Sequence, residues 1–277
     1  MKFAVVISVS KTRFGPIVFR ENLIENIRKA KKLGYDGVEF AIRETHTIDP
    51  SEIIKTIDEL DLEIPAVGTG QIYLEEGLSF SSKSKDIRNS AVKRINEITE
   101  TASYFNSSVI IGLVRGNVDT IVDDYKKELE VAESRIAECL EKCMTYSEKF
   151  GIEYLIEPLI RYDSNILNKI EDVTNFLEKY KTKLDVKRIG ILADTFHMNV
   201  EESIMADSLL HNIKLINHIH FADSNRLAPG EGHINFKEIV GILKSSNYTK
   251  YISFEILPEP DSETAAKKAI TYIKSII

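Results

Sequence analysis

Apolar residues in this chain fall into short unbroken runs that alternate with longer stretches where they recur every three or four positions. The runs are FAVVISV, DGVEFAI, EIPAVGTG, SVIIGLV, EYLIEP, RIGILAD, LINHIHFAD and YISFEIL. Many are β-branched and lack strict polar alternation, as strands buried on both faces do. Segments between them, such as ENLIENIRKAKKLG, DIRNSAVKRINEITETASYF and KIEDVTNFLEKYK, have helical periodicity, and Gly34 and Gly151 stand where helices stop. Eight strand–helix pairs predict an α/β fold with a parallel sheet. The 277 residues allow about 35 per unit, which suits one (β/α)8 TIM-barrel domain over residues 1–277 with outer helices. An open doubly wound sheet would normally place GxGxxG after its first strand. SVSKTRFGP stands there instead, so the barrel is preferred.

Composition narrows the partners. A 43% hydrophobic share is enough for a large core, and a net charge of −7 leaves no footprint for nucleic acid or an anionic membrane. MKFAVVISVS imitates a signal peptide over about eight residues, but no cleavage pattern precedes Lys11 and Arg13. It reads as the first strand, and no run approaches the ~20 apolar residues of a membrane helix, so a cytoplasmic protein is expected. Cys139 and Cys143 fall on a helical stretch from about Asp119 to Lys149, in phase with Tyr125, Leu129, Ala132, Ile136 and Tyr146. CxxxC has neither zinc nor redox spacing, and the pair is expected to be buried apolar packing.

The chemistry lies in the second half. Glu157, Asp194, His220 and Glu255 each stand at or near the carboxyl end of a strand-like run, with separations of 37, 26 and 35 residues. In a closed parallel barrel all four reach the rim where barrel active sites are built. Singly, each has an ordinary alternative, and Asp194 could equally cap the helix that follows. Jointly, three oxygens and one nitrogen make a divalent-metal site suited to a hard or borderline ion such as Mn²⁺, Mg²⁺ or Co²⁺ rather than zinc. Such an ion polarises a ketone and stabilises the enediolate formed when the adjacent carbon loses a proton. Glu157 and Glu255, from strands five and eight, would remove a proton from one face of that carbon and return it to the other. His218 shares a face with His220 one layer deeper and reads as a packed neighbour. His197 in DTFHMN and Arg226 in HFADSNR could hold the substrate oxygens. The segment GQIYLEEGLSFSSKSK could be a lid or wall over the site, or a solvated connection.

EPLIRYD, DTFHMN, HFADSNR followed by GEGHINF, and the closing FEI resemble the ketose 3-epimerase group of the xylose-isomerase-like barrel superfamily. AVGTGQIYLEEGLSF and VIIGLVRGN resemble its 5-keto-L-gluconate epimerase branch. The resemblance implies Glu157, Asp194, His220 and Glu255 as metal ligands, Glu157 and Glu255 as the acid/base pair, and His197 and Arg226 as substrate-holding residues. It also implies a Mn²⁺-dependent homo-oligomer, a dimer or tetramer, acting on a small sugar. Ile160 and Asp163 depart from the group, which usually has Asn and Glu there. Asp163 is expected to hold substrate with about 1.5 Å less reach.

A keto-sugar acid needs a cation for its carboxylate. Arg115 is the candidate, with Arg161 a second or else an ion-pair partner. The expected activity is thus metal-dependent epimerisation of a keto-sugar acid or ketose, favouring 5-keto-L-gluconate. Ketohexose 3-epimerisation and hydroxypyruvate-type isomerisation are the alternatives. The rival from another class is an endonuclease IV-like DNA-repair phosphodiesterase, which needs further histidines after strands three and four. VGTGQ and IIGLVRG hold none.

Overall fold

A computed structural model describes residues 1–12 and 15–277; Arg13 and Phe14 lie outside the described residues. Eight parallel strands close into a barrel: β1 (Lys2–Ser8), β2 (Gly37–Ala41), β3 (Ala66–Gly68), β4 (Ser108–Ile111), β5 (Tyr154–Ile156), β6 (Ile189–Asp194), β7 (Ile216–Phe221) and β8 (Tyr251–Phe254). Closure comes from β1 pairing with β8, Lys2 beside Tyr251 through Val5 beside Phe254. A two-residue strand, Phe19–Arg20, continues that edge against Ile7 and Ser8, an element hydrophobic patterning is too coarse to find.

The strands are buried on both sides for separate reasons. Ala66, Ile110, Leu155 and Leu192 form a small cluster inside the barrel. Outward residues such as Val38, Phe40, Val109, Ile191 and Phe221 join the large core beneath the helices. The period of two decides which polar residues point inward. On β7, Ile219 and Phe221 face the helices, so His218 and His220 face in. On β2 the same rule turns Glu39 inward between Val38 and Phe40.

Helices end where the sequence supplies the chemistry. Gly34 adopts φ 89° after helix Leu23–Leu33, and its N–H reaches the Ala30 and Lys31 carbonyls. The long fourth-unit helix spans Tyr125–Ser147, shorter at its start than the Asp119 expected from periodicity. Asp124 sets the boundary, its carboxylate accepting the Lys127 N–H at 3.0 Å. Cys139 and Cys143 are buried on that helix, and burial pushes both thiols up. The segment after β3 is no simple loop, because Gly70–Glu76 forms a short helix. Among the described residues no helix is long and apolar enough to cross a membrane.

Candidate functional site

Four side chains from the last four strands converge at the carboxyl-end mouth. Glu157 is the first residue past β5, where its N–H still bonds the Ile111 carbonyl at 3.2 Å. Asp194 closes β6 and does two jobs. Its Oδ1 caps the next helix by accepting the Phe196 N–H at 2.8 Å, which leaves Oδ2 for the site. Strand register sets Asp194 directly beside His220. Glu255 follows β8 on the inward side that Ser253 also occupies. One ligand atom from each of the four lies within 4.8 Å of all the others.

His220 shows what that gathering can hold. Its Nδ1 is 3.7 Å from a carboxylate oxygen of Glu157, Asp194 and Glu255 alike. That nitrogen is buried without a hydrogen-bond partner, while Nε2 lies 3.0 and 3.1 Å from the Glu39 oxygens. With a hydrogen on Nε2, the neutral ring directs its Nδ1 lone pair at three carboxylates, and without a cation among them that nitrogen takes a proton. A buried lone pair equidistant from three anionic oxygens fits a cation among them. The four residues could therefore hold a divalent metal ion.

Electrostatics agree with a site built for positive charge. Burial pushes the Glu157 carboxyl up to about 8; His220 opposes the rise, and Glu255 and Asp194 add to it. Burial also pushes on Asp194, but Arg226, His197 and His220 outweigh it and hold the carboxyl below its ordinary range. For His220, burial pulls the value down, and the Glu39 and Glu255 charges overcome it, leaving the imidazole well above its usual value.

Two residues flank the carboxylates from outside the set. His197 accepts the Ile160 N–H on Nδ1 at 3.4 Å, so its hydrogen sits on Nε2, 3.7 Å from both Glu157 and Asp194. Burial keeps this imidazole neutral, down to about 3, against the pull of Asp194. Arg226 donates from Nη1 to Asp194 Oδ2 at 2.6 Å and from Nη2 to Glu255 Oε2, with its guanidinium 4.7 Å from the Phe196 ring centre. The site opens into a cavity of about 310 Å³. Asp163 stands on its exposed margin, and Val6, Ala41, Ile110, Leu113 and Ile160 give it an apolar wall.

Comparison with known proteins places this arrangement. Residues 27–276 match the family described as Xylose isomerase-like TIM barrel. The chain belongs to that family. Among its relatives is the 3-dehydro-D-guloside 4-epimerase of Escherichia coli, 25% identical over 86% of this chain and 88% of the relative. The D-psicose 3-epimerase of Agrobacterium fabrum is 26% identical over 83% of this chain and 77% of its own. The crystal structure of an E. coli 3-keto-D-glucoside 4-epimerase superposes with a TM-score of 0.81 at 22% identity, covering 99% of each chain. The chain is an enzyme of the isomerase class, as these epimerase relatives are.

Within this xylose isomerase-like barrel, Glu157, Asp194, His220, Glu255, His197, Arg226 and Asp163 are brought together, and Arg115 is set apart. Arg115 is fully buried away from the cavity lining, and its Nη1 donates to the Glu157 backbone carbonyl at 2.6 Å. Burial brings its guanidinium down to about 10. Arg161 pairs with Glu201 at 2.7 Å, not with Glu157. Two residues at the cavity escaped the sequence reading. Gln71, from the short helix after β3, donates to Ser8 Oγ at 3.0 Å and keeps a buried Oε1 without a partner. The segment expected to be lid, wall or solvated link therefore supplies wall at this residue. Glu39 stands behind His220, and a lone carboxylate inside the apolar run DGVEFAI was its signal.

Proposed function

We propose that this protein is a divalent-metal-dependent epimerase that inverts a carbon beside the carbonyl of a keto sugar, with Mn²⁺ as the ion and 5-keto-L-gluconate as the first candidate substrate. The observation that carries the reading is the partnerless Nδ1 of His220, ringed at 3.7 Å by oxygens of Glu157, Asp194 and Glu255. Relatives named as 3- and 4-epimerases of keto sugars support the reaction class.

A bound divalent ion would supply Lewis acidity to the carbonyl and neighbouring hydroxyl of the sugar. The chain's own groups then move the proton. Glu157 and Glu255 come from β5 and β8, on different sides of the mouth, and offer oxygens within 4.8 Å of each other. One carboxylate takes the proton from the carbon beside the carbonyl, and the other, protonated, returns one to the opposite face. His197 presents a neutral N–H to the oxygens that gain charge, and Arg226 presents a permanent cation. The apolar wall keeps water from the reacting carbon.

The first candidate rests on the likeness of AVGTGQIYLEEGLSF and VIIGLVRGN to the 5-keto-L-gluconate branch. A neutral ketose is favoured by a different observation. Arg226 is the sole Lys or Arg among the described cavity-lining residues, and it is committed to Asp194 and Glu255. The test is steady-state turnover of the Mn²⁺-loaded protein with 5-keto-L-gluconate, D-tagatose, D-fructose, a 3-keto-glucoside and hydroxypyruvate. Epimer formation from at least one keto sugar is expected, and the ratio between acid and neutral sugars selects the substrate. Nicking of abasic DNA with no sugar turned over would contradict the proposal.

A further inference from the structure

We infer that Glu39 is a positioning residue for the metal centre, one that dictates which nitrogen of His220 faces the three carboxylates. The inference rests on Glu157, Asp194, His220 and Glu255 being metal ligands, and it concerns what makes His220 competent to be one.

Glu39 sits mid-strand on β2, across the barrel from β7, buried and turned inward. Two imidazoles hold it, one of them also bonded to Ser253. His220 Nε2 lies 3.0 and 3.1 Å from its two oxygens, His218 Nε2 lies 2.8 Å from Oε2, and Ser253 Oγ lies 2.9 Å from the same His218 nitrogen. An ionised carboxylate only accepts, so both imidazoles must present N–H at Nε2. In the neutral ring of His220, the form that can ligate, this leaves Nδ1 without a hydrogen, and Nδ1 is the atom aimed at Glu157, Asp194 and Glu255. His218, which sequence alone leaves as a packed neighbour, has a definite task in this arrangement: it anchors the far oxygen of Glu39 from one layer deeper. A carboxylate behind a ligating histidine orients the ring and raises its basicity, and its loss weakens metal binding by about 10- to 100-fold.

The same atoms have a competing use. Glu39, His218 and His220 are close enough to hold an ion themselves, which would require Nε2 of His220 to be bare. Glutamine at position 39 separates the two uses. It keeps the shape, but its amide nitrogen must oppose one of the two N–H groups.

The experiment measures Mn²⁺ affinity and stoichiometry by calorimetry for the wild type, Glu39→Gln and His220→Ala, and records ¹⁵N spectra of histidine in the Mg²⁺-loaded wild type. The expected results are one ion per chain, affinity about 10- to 100-fold weaker in Glu39→Gln with unchanged circular dichroism, and His220 carrying its hydrogen on Nε2. Glu39→Gln binding within about twofold of wild type would overturn the inference, as would a bare Nε2 or two ions per chain. Should Glu39→Gln fail to fold, the wild-type ¹⁵N spectrum decides. A wild type that binds no ion, or binds it as well after His220→Ala, overturns the ligand assignment itself, before the Glu39 variant is measured.

Discussion

Asp194 lies beside His220 because the pairing of β6 with β7 shifts by one residue between Ile191 and Leu192. Ile191 pairs with Ile216 but Leu192 pairs with His218, so Asn217 is the extra residue. Without the shift Asp194 would stand beside Ile219, whose side chain faces the helices. A β-bulge of this kind re-aims a side chain beside a site.

Gly190 makes room for that bulge. A Cβ there would lie 2.6–2.7 Å from the Asn217 side chain, close to its Cβ and Cγ, not only its flexible tip. Gly190→Ala is therefore expected to weaken Mn²⁺ binding by at least about 10-fold although it is four residues from Asp194. Asn217→Gly in the same chain should restore part of the loss. Calorimetry on the single and double variants checks both statements.

Gly112 is a second close approach. An added Cβ would stand 2.6 Å from Glu157 Oε2. The substitution thus displaces a proposed proton-transfer group. Gly112→Ala should lower kcat on the order of 10²-fold. Steady-state kinetics on the variant check the loss.

The pH response of the metal-free protein follows from Glu157. Its folded value, about 8, exceeds the ordinary 4.5, chiefly because of burial. A raised folded value means the group's stabilisation is complete below the unfolded value and is lost as pH rises through the folded one. His220, also raised, acts with the same sign. Below their ordinary 6.5, His197 and His218, which burial lowers, act with the opposite sign. With chelator present, stability should therefore fall from about pH 7 to 8, and Mn²⁺ affinity should rise over the same window, because ligands bind metal deprotonated. Glu157→Gln should flatten much of the fall and abolish metal-dependent stabilisation. Thermal melts with EDTA and with Mn²⁺ across this range provide the check.

Arg226 ties Asp194 to Glu255, so its charge opposes an ion in the same place. Arg226→Gln leaves buried carboxylates without that cation and should destabilise the metal-free protein by on the order of 3–5 kcal/mol. Mn²⁺ should bind the variant several-fold more tightly. The ratio kcat/KM should nonetheless fall about 10²- to 10³-fold, because the donor to the substrate oxygens is gone. Calorimetry, denaturant titration and kinetics separate the three.

What was legible in the chain followed periodicity. Strands buried on both faces show as unbroken apolar runs, and an ionisable residue at the end of each of the last four runs pointed to one rim. Glu39 was harder, because its partners His218 and His220 lie about 180 residues away and only closure of the barrel joins them. Arg115, in GLVRGN, reads as the cation for a substrate carboxylate, yet the three-residue helical turn Leu113–Arg115 carries its guanidinium under the Glu157 carbonyl. Asp119 sits in a connection that bends over residues 120–123, and hydrophobic phase cannot show that Asp124 is the cap. The register shift at Ile191 leaves no pattern in the apolar runs at all, although it decides where Asp194 points.

Solvent exchange in D₂O tests the central claim most directly. The Mn²⁺-loaded protein is incubated with the keto sugar it turns over, and deuterium is located by NMR in substrate and product. One deuterium from solvent should appear on the carbon beside the carbonyl in the inverted product, and EDTA should stop both label and inversion until Mn²⁺ is restored. Inversion with no label from solvent, or label entering at an undiminished rate under EDTA, would contradict proton transfer by Glu157 and Glu255 at a metal centre.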